Sequence, residues 1–170
     1  MHPEFKREDI LCRMISSPIG ELALYADADH LYAIDSIKGE RRIRPGQQGE
    51  NRVLVEAERQ LRAYFAGQLQ VFDLPLLPVG TDFQQAVWQV MRGIAYGGVL
   101  TYGELAALVG GRNKARAVGQ AANRNPLMIV IPCHRVIGSN GRLVGFGAGI
   151  DTKDMLLRHE RGEEVWPPAP

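Results

Sequence analysis

Thr101-Tyr102-Gly103-Glu104-Leu105-Ala106-Ala107-Leu108-Val109-Gly110-Gly111-Arg112-Asn113-Lys114-Ala115-Arg116-Ala117-Val118-Gly119-Gln120-Ala121-Ala122-Asn123-Arg124 is the stretch on which the fold turns. Thr101 and Glu104 form a capping box, in which each side chain satisfies a backbone N–H that a helix start leaves unbonded. Leu105, Leu108 and Val109 give that short helix its apolar face, and Gly110-Gly111 ends it in a tight turn. The next helix follows at once, with Ala115, Val118, Gly119 and Ala122 facing inward. Two short helices joined by a glycine turn are the form of a helix-turn-helix, here at about 101–124. Asn113, Arg116, Gln120 and Asn123 share the outward face of the second helix, and its small residues would let the backbone approach a groove. Arg112, Lys114 and Arg124 flank it as phosphate partners. Such a pair also occurs as a plain structural corner.

Charge favours nucleic acid. The 170 residues carry 20 Lys+Arg and 19 Asp+Glu, a net of +1, which excludes a basic tail and an acidic disordered chain. The distribution is uneven, however. No Asp or Glu occurs from Leu105 to Ile150, while Arg112, Lys114, Arg116, Arg124, Arg135 and Arg142 are all basic. That asymmetry suggests a localised anion-binding face, against the alternative of a basic surface with no partner. Hydrophobic residues at 45% and charged residues at 23% suit a globular protein with a core of its own. No apolar run is long enough for a membrane span, and the start lacks a signal-peptide apolar region, so we expect no membrane partner and a cytosolic setting.

Upstream, Thr81 with Gln84 makes another capping box. Phe83, Ala86, Val87, Val90, Met91 and Ile94 follow the spacing of a buried helix face, closed by Tyr96-Gly97-Gly98. Asp73 to Gly80, with Pro75, Pro78 and Gly80, reads as a linker. Before it, Ile10–Ser16, Glu21–Ala26 and His30–Ile37 alternate as antiparallel strands, and Lys38–Gly49 reads as a loop. Leu54, Ala57, Leu61, Tyr64 and Phe65 then form one stripe of an amphipathic helix. The fold expected is α/β (α+β): an antiparallel sheet plus helix over 1–78 as scaffold, then a mostly helical domain over 79–170. The terminal Trp166-Pro167-Pro168-Ala169-Pro170 reads as a loose tail.

Downstream of the helix pair, the Asn125-Pro126 turn leads into the apolar run Leu127–Ile131, which delivers Pro132-Cys133-His134-Arg135-Val136. A thiol attacks only as thiolate, and neighbouring His134, Arg135 and local positive charge would lower its ordinary pKa of about 8.5. On an extended segment His134 points away from Cys133, so it reaches the sulfur through a bend or a bridging water. A cysteine after an apolar run is also an ordinary core residue. Gly138–Gly149 is a glycine-rich loop with Phe146 as a stacking wall. Asp151 or Thr152 then caps a last helix that ends at His159-Glu160, where a carboxylate could orient an imidazole.

The order Arg116-Ala117-Val118-Gly119, Asn125-Pro126, Ile131-Pro132-Cys133-His134-Arg135-Val136, glycine-rich loop, Leu156-Leu157 and Glu160 resembles the methylated-DNA–protein cysteine methyltransferases (O6-alkylguanine-DNA alkyltransferases) in detail over Thr81–Arg161. For the preceding part, the likeness is one of size and element order, and it implies a ribonuclease-H-like scaffold. The resemblance implies direct-reversal DNA repair: single-turnover transfer of an alkyl group from O6-alkylguanine, and less readily O4-alkylthymine, to Cys133. His134 would be the base through a water, Glu160 would hold its other nitrogen, and Asn125 would brace the turn before the cysteine. Tyr102 would press the phosphate that rotates the nucleotide, and Arg116 would fill the vacated stack. The carbonyls of Cys133 and Val136 would accept from the guanine amine, and the Gly147 N–H would donate to its oxygen. Asn113, Gln120, Asn123 and Arg135 would complete the DNA-binding set.

The implied partner is double-stranded alkylated DNA, bound from the minor groove with base flipping by a monomer, cooperative or not. No cofactor is implied. Cys12, His2 and His30 make no convincing four-ligand set, so no metal is expected. Phe146 stands where the family often has Tyr, and we expect an altered rate or alkyl-size preference from it. Two other readings compete. One is a lesion-recognition protein of the same fold without catalysis, against which Cys133 speaks. The other is an unrelated thiol hydrolase, which would leave the helix-turn-helix unexplained.

Overall fold

The structure, a computed structural model, describes residues 9–38 and 46–166. Strand β1 (Leu11–Ser17) turns through Pro18 and Ile19 into β2 (Gly20–Ala26), with Gly20 at φ +106°, a conformation that glycine adopts without strain. β2 pairs antiparallel with β3 (Leu31–Ser36). Sequence reading places these three strands within a residue of their ends. It misses β4 (Gln47–Gln48), which lies in the expected loop and pairs parallel with β1, giving the order β3-β2-β1-β4. Two residues are too few to show an alternating pattern. Most of the rest of that loop, 39–45, lies outside the described residues, as do His2 and 167–170.

Helix α1 (Arg52–Phe65), capped by Asn51, buries its expected stripe Leu54, Ala57, Leu61, Tyr64 and Phe65 against the sheet. The free edge of β3 is covered by two proline-bearing segments. Leu31 N donates to Pro75 O (2.8 Å), and Ile34 N donates to Pro126 O (2.8 Å). The segment read as a linker is therefore docked, and the edge strand offers no template for another chain. One hydrophobic cluster runs from Leu22, Leu24 and Ile34 through α1 to Trp88, Leu105 and Leu156. A smaller one (Ile10, Cys12, Ala23, Tyr25, Tyr32, Ala33) covers the other sheet face.

Helix α2 (Asp82–Arg92) and helix α3 (Tyr102–Val109) both carry the full capping boxes expected of them. Their faces are rotated from the expectation. On α2, Trp88 is buried with its indole N–H donating to Ala121 O (2.9 Å), while Ala86 is exposed. On α3, Ala106 is buried and Leu108 is 64% exposed, because α2 and α4 (Ala115–Asn123) pack on the side of α3 away from Leu108. Between α3 and α4, residues Arg112–Lys114 form a separate 3-10 turn, so Asn113 precedes the helix. Strand β5 (Leu100–Thr101) pairs parallel with β6 (Val136–Ile137), a pairing of high sequence separation that no local pattern announces. The last helix, α5 (Ile150–Glu160), starts at Gly149 (φ +95°) without a side-chain cap, so neither Asp151 nor Thr152 fills that role. Trp166 is held against the body: its indole donates to Phe65 O (3.1 Å) and stacks on His159.

Candidate active site

The β5–β6 pairing registers Leu100 with Val136 and Thr101 with Ile137, so Tyr102 emerges beside the Cys133–Val136 segment. The apolar run 127–131 forms a tight turn, with Ile131 N donating to Leu127 O (2.8 Å) and Ile129 at φ +73°. A β-branched residue in the left-handed region persists only where its surroundings hold it. Asn125, 2% exposed, supplies that hold: its Nδ2 donates to Ile131 O (2.7 Å) and its Oδ1 accepts from Leu127 N (2.9 Å). After Pro132 the chain bends into a single 3-10 turn, Cys133–Arg135. That turn gives Cys133 and His134 different surroundings, one half-exposed and one buried.

His134 is fully buried, and its Nε2 lies 2.6 Å from Glu160 Oε1 at the end of α5. The Glu160 carboxylate also accepts from Arg135 Nε (2.8 Å) and Nη2 (3.0 Å), from Gly97 N (3.1 Å) and from Tyr64 Oη (2.8 Å). Burial alone would raise its pKa, but the hydrogen bonds from His134 and Arg135 and the charge of Arg135 outweigh burial and hold the carboxyl far below the usual range. Burial pushes the His134 imidazole down, against the upward pull of Glu160. The pair is thus an ionised carboxylate and a neutral imidazole. The carboxylate fixes the ring proton on Nε2, which leaves Nδ1 with its lone pair. Among the described residues, buried Nδ1 has no hydrogen-bond partner.

Cys133 lines a cleft together with Met128, Asn123, Asn125, Phe146 and Gly147. Asp35 and Ser36, at the end of β3, also reach this cleft. Tyr102 Oη donates to Val144 O (3.1 Å), and burial together with the charge of Cys133 raises its pKa to about 12. Lys153, fully buried, donates from Nζ to Val136 O (2.5 Å) and Val144 O (2.9 Å) and lies over the Tyr102 ring. Burial lowers its pKa to about 8. No group of three or more His, Cys, Asp or Glu residues is placed to hold a metal ion among the described residues.

Two family models match the chain: the 6-O-methylguanine DNA methyltransferase ribonuclease-like domain over 10–78 and its DNA binding domain over 82–162. The chain belongs to the methylated-DNA–protein-cysteine methyltransferase family. It is 47% identical to the protein of that name from Methanosarcina acetivorans over 149 residues, covering 86% of this chain and 96% of that one. It is 44% identical to that from Mycobacterium leprae, covering 89% and 93%. Among solved structures, Mycobacterium tuberculosis OGT in complex with DNA superposes with a TM-score of 0.83 at 42% identity, covering 89% of this chain and 93% of that one. The mixed fold, with an N-terminal sheet and a helical C-terminal part, is thus the family fold.

Within this methyltransferase framework, the expected DNA face is exposed: Asn113, Arg116, Gln120 and Asn123, with Arg112, Lys114 and Arg124. Gly145 (φ +60°) lies so near α4 that a Cβ there would meet the Asn123 amide at 3.0 Å, which brings the Phe146 loop against the helix. Arg135, expected in the DNA-binding set, is 5% exposed, with its guanidinium engaged by Glu160 and by Ile94 O (2.6 Å), because two charges removed from water must neutralise each other. The Val136 carbonyl is already engaged by Lys153. No helix among the described residues is long and apolar enough to cross a membrane.

Two site residues escape a reading of the sequence. Tyr64 counts there as part of an apolar stripe, although a buried phenol needs a hydrogen-bond partner and that need is the available signal. Lys153 precedes Leu156, Leu157 and Glu160 by 3, 4 and 7 positions, so a lysine on a buried helix stripe is visible in the spacing.

Proposed function

We propose that this chain repairs double-stranded DNA by moving the alkyl group of O6-alkylguanine, and less readily of O4-alkylthymine, onto Cys133, once per molecule. The observation that carries the reading is the buried pair in which Glu160 holds His134 Nε2 while Nδ1 stays unpartnered, next in the chain to a cysteine that opens on a cleft. His134 Nδ1 takes the Cys133 proton through a water. The thiolate then attacks the alkyl carbon: a C–S bond forms, the C–O6 bond breaks, and its electron pair leaves with the guanine oxygen. The Gly147 N–H stabilises that oxygen as charge develops. The thioether has no route back, so the protein is consumed.

A stacked guanine presents its O6 out of reach of a thiolate, so the base must leave the helix at a cost of a few kcal/mol. Arg116, exposed on α4, enters the gap, and Tyr102 presses the phosphate that turns the nucleotide. Phe146 stacks on the flipped base without the hydroxyl its relatives often have. The small residues of α4 suit a minor-groove approach, where backbone must come close. Asn113, Gln120 and Asn123 line that approach.

Residues 1–78 serve as scaffold and 79–170 bind DNA and accept the alkyl group. The protein acts as a monomer in the cytosol, where reducing conditions keep Cys133 a thiol. Incubation of sub-stoichiometric protein with an O6-methylguanine duplex tests the reading. Restored guanine should equal the protein added. Multiple turnovers on esters or peptides would instead favour a thiol hydrolase, and tight binding without restoration a non-catalytic lesion binder.

A further inference from the structure

Tyr64 belongs to α1, in the part of the chain read as scaffold, yet its hydroxyl reaches Glu160 Oε1 at 2.8 Å, the same oxygen that lies 2.6 Å from His134 Nε2. Its backbone carbonyl accepts from His159 Nε2 (2.7 Å). One residue of α1 therefore grips both of the last two residues of α5. Helix ends fray unless tied, and Glu160 is the last residue of its helix. The Tyr64 ring is fully buried and edge-on to Tyr96 (6.1 Å) and His159 (5.3 Å), so the hydroxyl has no freedom to turn elsewhere.

Resting on the repair reading above, we propose that Tyr64 is a positioning residue for alkyl transfer: by donating to the Glu160 oxygen that holds His134, it limits how strongly that carboxylate draws the imidazole proton and so keeps His134 a neutral base. A hydrogen bond donated to a carboxylate stabilises its charge in place. Here it competes with the His134 N–H for one oxygen. Without it, more of the carboxylate's negative charge falls on His134, the imidazolium gains stability, and a higher pH is needed to free Nδ1.

The other groups facing this pair are Arg135 on the same turn, Lys153 on α5, and Tyr96 with the Gly97 N–H after α2. All of them are unchanged by substitution at Tyr64. Burial and the Glu160 charge raise the Tyr64 pKa, so the hydroxyl stays a donor across the working range.

The test is the single-turnover rate of methyl transfer from an O6-methylguanine duplex across a pH series, with the full chain as wild type, Tyr64→Phe, and a form carrying 3,5-difluorotyrosine at 64. The last keeps the packing and strengthens the donor. The acid limb should move up by half a pH unit or more in Tyr64→Phe, about a threefold loss of rate on that limb, and move down in the fluorinated form. A uniform loss at every pH, or a lower thermal midpoint with an unmoved limb, marks a merely structural tyrosine and overturns the proposal. If Tyr64→Phe does not fold, an unmoved limb in the fluorinated form overturns it equally. A wild type that transfers nothing at any pH overturns the repair reading, and this proposal with it.

Discussion

His134 Nε2 lies 2.6 Å from Glu160 Oε1, with both side chains wholly shielded from solvent. A carboxylate in that position serves two basic groups at once, since Arg135 binds it too. Glu160→Gln removes the charge and leaves the Arg135 guanidinium buried without a counter-ion. Removing one partner of a buried pair costs roughly 3–5 kcal/mol. Urea unfolding should show that loss, and the alkyl-transfer rate should fall by more than about tenfold because the imidazole loses its fixed tautomer, at least the factor worth 1.36 kcal/mol. A variant of wild-type stability would contradict the burial of the pair.

Stability should decline on the acid side in two stages. His134 titrates below its ordinary 6.5 in the folded protein, so just below 6.5 the unfolded chain binds more protons and stability falls with pH. Glu160 titrates below its ordinary 4.5 when folded and adds a second loss of the same sign beneath that value. Lys153, at about 8 against 10.5, makes stability rise with pH between those two values. Urea midpoints measured at about pH 5 and about pH 7 should therefore differ, with the lower value at the lower pH.

Arg116 is exposed on α4, where solvent already surrounds its side chain. Arg116→Ala should leave stability within about 0.5 kcal/mol. It should slow repair of duplex DNA far more than reaction with free O6-methylguanine, which needs no flipping. Equal slowing of both would remove the residue from the gap-filling role.

Five of the six basic residues between Leu105 and Ile150 are exposed, and the sixth, Arg135, is neutralised inside. Affinity for DNA should fall steeply with salt, since binding releases condensed counter-ions. Arg112→Ala with Lys114→Ala should flatten the log–log salt slope by about two, one for each phosphate that no longer meets a cation. A fluorescence titration over a salt series measures it.

Local signals are legible in the sequence and distant ones are not. Thr81–Gln84 and Thr101–Glu104 close within one helical turn, so three residues of spacing suffice. The Cys133-His134 block with Glu160 is legible through family resemblance. Arg135 suggests DNA by its sign, and its bond to Glu160, 25 positions away, has no local signal. Tyr64 meets Glu160 across 96 positions, and β5 meets β6 through two residues each. Such pairings exist only once the sheet, α1 and α5 share one core. Leu108, apolar and 64% exposed, shows the reverse failure: periodicity marks a face without saying what covers it.

Repair by this protein requires Cys133 as the acceptor of the alkyl group. Intact mass and peptide mapping after exposure to excess O6-methylguanine duplex test it most directly. One methyl group per molecule, carried on Cys133 and absent in Cys133→Ala, is the predicted result. An unmodified wild-type chain, or a methyl group that persists in Cys133→Ala, would contradict it.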